Sequence, residues 1–125
     1  MAFVQTGVVD LCKSLGISSP LYPTEHCVTL YHKTEKDYRH VEPMNGSIMI
    51  QQSYTSDAGH TGFVVQAGEF DHFRTVEGNT NADGGSEGDG VYKKIRNMRG
   101  TSTKRVLGFI DVPRMIIDQA RKEGI

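Results

Sequence analysis

Three polar residues stand at positions where a folded core has no need of them. His60 lies in Ala58-Gly59-His60-Thr61-Gly62, at the entry to an apolar stretch. Glu77 and Asn79 lie in Val76-Glu77-Gly78-Asn79-Thr80, at the exit of an alternating stretch. If the two stretches pair as an antiparallel hairpin, the start of one lies beside the end of the other. His60 then comes within reach of Glu77 or Asn79. An imidazole held through one ring nitrogen by a carboxylate or amide is the base-and-orienter half of a nucleophilic hydrolase. Gly59, Gly62 and Gly78 would let backbone or substrate approach closely. The plain alternative is a surface histidine beside a polar hairpin end.

The other chemically capable residues are weaker candidates. Cys12 falls on the apolar stripe of a helix and reads as core packing. Cys27 follows His26 in the first turn of a helix whose pattern starts at Thr24, where the helix dipole lowers a thiol's pKa. The same position suits a buried helix-start residue. The run Asn79-Thr80-Asn81-Ala82-Asp83-Gly84 resembles the opening of a calcium loop, with oxygen ligands at alternate positions before a glycine. Gly90 stands where the closing bidentate glutamate belongs, so a glycine-rich hairpin loop fits residues 79–84 better and no cofactor is expected. Lys93, Lys94, Arg96, Arg99, Lys104 and Arg105 make a basic stripe that reads as a solvated sheet face.

The elements that must position these residues follow from periodicity. Phe3, Val4, Val8, Leu11, Cys12 and Leu15 recur at helical spacing before Gly16, which predicts a helix over about 2–16. A shorter helix follows from Thr24, and the charged segment from Thr34 to Arg39 reads as solvent-facing. From Glu42 the period changes to two. Strands are expected at 47–51, 62–67, 72–77, 90–96 and 105–110, joined like hairpins into a mainly antiparallel sheet of about five strands over about 47–110. Asp111 and Pro113 open a last helix over about 112–122, whose narrow stripe of Val112, Met115, Ile116 and Ala120 fits packing on the parent domain. Helices first and a meander afterwards is an α+β order rather than βαβ alternation.

Length and charge bound the function. A chain of 125 residues holds one domain, 1–125, and a formal net charge of −1 argues against holding nucleic acid by bulk electrostatics. No apolar run approaches the ~20 residues of a membrane span, and Asp10 interrupts the N-terminal apolar stretch, so neither a membrane partner nor a signal peptide is expected. Two cysteines without a CxxC pair exclude a disulfide framework and a zinc ribbon.

The stretches Ala58 to Val65, Val76 to Asn81, Gly88 to Tyr92 and Leu107 to Ile110 resemble the CHAP family. Its members are cysteine, histidine-dependent amidohydrolases and peptidases, a papain-like group that cuts peptidoglycan and is common in phage endolysins. Pro43 to Ile50 resembles the turn and strand that precede the family's histidine, and the likeness runs from Met1 to about Val112. The resemblance implies a papain-like α+β fold, His60 as general base, and Glu77 and Asn79 as candidates to orient it. It implies a peptidoglycan stem peptide or cross-bridge as substrate, reached at the bacterial wall after synthesis in the cytoplasm. The family's cysteine opens the first helix, typically in Trp-Cys-x-Ala-Phe-Val, and Met1-Ala2-Phe3-Val4 matches the residues that follow it. The nucleophile therefore falls one position before Met1. His60 is expected to face the start of the first helix, and the chain as written is expected to be inactive or nearly so. The alternatives are a non-catalytic relative that binds wall peptide or a protein partner, and a structural phage protein using its basic stripe.

Overall fold

Val4, Val8 and Cys12 lie one turn apart on helix α1 (Ala2–Leu15), and all three are buried. Gly16 ends the helix at φ 74°, a left-handed turn that favours glycine, and its N–H and that of Ile17 return to the last carbonyls. The computed structural model describes residues 1–68, 71–79 and 90–124, the side chain of Asn79 excepted. Helix α2 (Cys27–Lys33) begins three residues later than the pattern suggests. Thr24 Oγ1 accepts the His26 N–H at 3.1 Å within a local turn instead of capping a helix.

Six strands follow: β1 (Arg39–His40), β2 (Ile48–Ser53), β3 (Gly59–Gln66), β4 (His72–Asn79), β5 (Gly90–Asn97) and β6 (Lys104–Ile110). They form one sheet in the order β1-β6-β2-β3-β4-β5, and every pairing is antiparallel. The α+β class holds, with six strands in place of about five. The extra strand is β1, from the edge of the segment read as solvent-facing; Arg39 and His40 pair with Ile110 and Phe109. Helix α3 (Val112–Lys122) closes the chain, with Asp111 Oδ1 accepting the Arg114 N–H at 3.2 Å as its cap.

Alternation along the strands builds a core on each face. Ile48, Ile50 and Ile110 join Val4, Val8, Cys12, Leu30, Val112 and Met115 beneath the helices. Ile116 and Ala120 pack against the same cluster, so the stripe of α3 serves its own domain. Met49, Val64, Phe73 and Phe109 make a second cluster on the opposite face, with the Phe73 and Phe109 rings edge to face at 5.3 Å. Because both faces of β2 are covered, Ile48, Met49, Ile50 and Gln51 are buried in succession. No described helix is long and apolar enough to cross a membrane.

Candidate active site

The β3–β4 hairpin brings the two expected partners together. Phe63 stands opposite Val76, which leaves Gly62 beside Glu77 two residues from His60 on the same face. A Cβ on Gly62 would lie 2.5 Å from Glu77 Cγ, so only glycine leaves the carboxylate room at this crossing. His60 Nε2 meets Glu77 Oε1 at 2.5 Å. The imidazole is 27% exposed, while the Glu77 side chain is 2% exposed.

A buried carboxylate needs partners for both oxygens. Arg96, from β5, gives Nε to Oε2 at 2.8 Å and Nη2 to Oε1. The buried Thr75 hydroxyl donates to Oε2 at 2.5 Å. With His60 on Oε1, each oxygen accepts two hydrogen bonds. Burial pushes this carboxyl's pKa up, but the hydrogen bonds from Arg96, His60 and Thr75 outweigh it and bring the pKa down to about 2. Glu77 is therefore ionised at neutral pH and can only accept. His60 Nε2 must carry the hydrogen, so that in the neutral ring Nδ1 holds the lone pair of a general base.

The sequence reading brought out His60 and Glu77 and missed Arg96 and Thr75. Arg96 belongs to the stripe that reads as a solvated sheet face, yet its side chain is 20% exposed and locked to Glu77. Arg99 and Arg105 engage Asp71 and Gln52. Both of those arginines are exposed, so Arg96 is the arginine of the stripe that turns inward. The backbone of Asn79 pairs with Gly90 at the end of β4, while its side chain, like residues 80–84 of the calcium-like run, lies outside the described residues. Among the described residues no group of three or more His, Cys, Asp or Glu side chains is gathered to hold a metal ion.

The start of α1 lies at the same end of the sheet, on its other face. Gly78 sits directly beneath Phe3, and the Phe3 and Phe63 rings meet edge to face at 5.8 Å. A Cβ on Gly59 would point at Cys27 Cβ, 3.3 Å away. Strand alternation turns His60 and Glu77 to the opposite side from Gly59, Phe63 and Gly78. The expectation that His60 faces the start of the helix is corrected accordingly: the two share an end of the β3–β4 pair, and the ring points to the face away from α1.

Neither cysteine is an activated thiol. Burial raises the Cys12 thiol, and the charge of Glu123 adds to it. Burial also raises the Cys27 thiol, against the N-terminal ammonium and a backbone hydrogen bond that lower it. Cys27 opens α2 as a packed core residue, 8% exposed. Gln51 is the direct cross-strand neighbour of His60; it is buried, and its amide NH2 has no hydrogen-bond partner among the described residues. No family model matches this chain, and no curated protein matches it.

Proposed function

We propose that this domain supplies the base and orienter of a thiol-dependent amide hydrolase of the CHAP kind, with a papain-like architecture, acting on the peptides of bacterial peptidoglycan. One observation carries the reading: ionised Glu77 holds the His60 ring through Nε2, so that in the neutral ring Nδ1 is the nitrogen able to take a proton. The Gly-His-x-Gly and Glu-Gly-Asn-Thr runs to which these residues belong also support it.

In this chemistry Nδ1 accepts the proton of a cysteine thiol, and the thiolate attacks the amide carbonyl. The C–S bond forms as the C–N bond breaks, and the amine leaves with the proton returned by the imidazolium. Water, deprotonated by the same nitrogen, then cleaves the thioester to a carboxylic acid and restores the thiol. Glu77 holds the ring in one tautomer throughout, and Asn79 is the second candidate for that role.

Cys12 and Cys27, buried and raised, do not suit the attacking role; the resemblance places the thiol just before Met1, and because the His60 ring lies on the sheet face away from α1, that thiol must come round the shared end of the β3–β4 pair to reach Nδ1. The 125 residues alone are then expected to leave purified cell walls intact. Adding a short N-terminal extension that ends in cysteine should give lysis blocked by thiol alkylation, and His60→Ala in that protein should abolish it. Lysis by the unextended chain that survives both Cys12→Ser and Cys27→Ser would overturn the proposal. So would a folded, cysteine-extended protein that never cuts. Retention of the inert chain on insoluble peptidoglycan would favour the alternative, a binding domain with a remnant cleft.

A further inference from the structure

The Arg96 contact is longer in reach than the sheet requires. Arg96 stands opposite Phe73 in the β4–β5 register, four residues from Glu77, so its side chain runs back along the strand pair past Thr75 to find the carboxylate. A histidine oriented by an unneutralised buried carboxylate would be drawn toward the imidazolium form, because the negative charge has no other cation to answer it. Here a guanidinium fork already matches that charge, and it does so on both oxygens.

We infer that Arg96 is a positioning residue of this site: it clamps Glu77 as a fixed acceptor for His60 Nε2–H and offsets the carboxylate charge, so that the ring stays neutral with Nδ1 bare. This rests on the reading of His60 as a base. The other groups on that face of the sheet fit the same assignment. From β5, Tyr92 stands opposite Glu77, and Lys94 Nζ lies 5.9 Å over the Tyr92 ring. From β2 the neighbour is the uncharged Gln51, and from β4 it is the Thr75 hydroxyl. The N-terminal ammonium acts on Cys27, at the opposite face. Among the described residues Arg96 is therefore the permanent cation in contact with the carboxylate.

The test is the 15N spectrum of the His60 ring at pH 7, recorded on the full chain and needing no catalytic turnover. The wild type should show one protonated and one bare nitrogen. Arg96→Met removes the matching charge, and the charged-to-neutral ratio of the ring should rise by about tenfold or more at fixed pH. The two nitrogens then converge toward the imidazolium signature. Arg96→Lys keeps the charge but loses the fork. Nε2 should keep its hydrogen, because Glu77 can still only accept, but that hydrogen should exchange with water faster as the carboxylate loosens, and this change in the ring signature decides the matter if Arg96→Met does not fold. A wild-type ring already charged at pH 7, or a ring signature unchanged in the folded variants, overturns the inference. Should the cysteine-extended protein fail to cut walls while the ring nitrogens behave as described, the hydrolase reading falls and the role of Arg96 stands.

Discussion

Replacing Glu77 by glutamine tests the site through stability, with pH as the lever. The carboxyl titrates near 4.5 in an ordinary setting and at about 2 in the folded chain. At about 1.4 kcal/mol per pH unit, that difference is worth roughly 3 kcal/mol of folding free energy at neutral pH. A carboxylate with a lowered folded pKa stabilises fully above its unfolded value and loses that contribution as pH falls through its folded one. About 1.4 kcal/mol should remain at pH 3, and under about 0.5 kcal/mol at pH 2. Glu77→Gln keeps the shape, removes the charge, and leaves Arg96 without its anion at every pH. Urea unfolding of both proteins between pH 7 and pH 2 should show the variant weaker by about 3 kcal/mol at pH 7, with the gap closing toward zero as the wild type becomes protonated. Pairing the two proteins cancels the titration of the other carboxylates. A gap that stays constant from pH 7 to pH 3, or no gap at all, refutes the argument that Glu77 is an ionised acceptor held by His60, Arg96 and Thr75.

Gly62→Ala should lower stability by about 1–3 kcal/mol in urea unfolding, since its Cβ would sit 2.5 Å from Glu77 Cγ and 3.0 Å from the Val76 carbonyl oxygen. Asp111→Ala removes the α3 cap and should cost about 1 kcal/mol by the same measurement, with the loss seen first as fraying of residues 112–115 in hydrogen exchange. Cys12 and Cys27 should react with an aromatic disulfide reagent on the order of a hundredfold more slowly in the native protein than in urea, because both thiols are buried and raised.

Much of this arrangement is legible in the residues. The spacing of Val4, Val8 and Cys12 before Gly16 marks α1, and Asp111 before Pro113 marks the start of α3. Alternation marks the long strands, and their hairpin order alone puts His60 beside Glu77. The failures have physical causes. Thr24 carries the side chain of a cap but spends its hydroxyl on a local turn, a competition that composition does not resolve. Two-residue β1 is too short for any periodicity; its pairing with β6 is a tertiary event. Arg96 sits in a run of lysines and looks solvated, yet Glu77, nineteen residues away, turns it inward. The available signal was the glutamate itself, since a carboxylate buried at a hairpin crossing requires a cation nearby. The side on which the ring lies was also legible once the register was known: Gly59 and His60 are consecutive, so if one faces the helices the other cannot.

The strand order has a consequence for the sequence of events in folding. β2 lies between β3, its near neighbour in the chain, and β6, which follows it by more than fifty residues. The strands β2 to β5 each pair with their neighbour in the chain, but β2 remains an exposed edge until residues 104–110 are in place. On a ribosome, where a chain emerges from its N-terminus, all four members of the Glu77 network would be present before the sheet that rigidifies them is complete. During that interval the unpaired N–H and C=O groups along the apolar run Ile48, Met49 and Ile50 lie open to pairing with another chain, and the arrival of β6 ends the exposure.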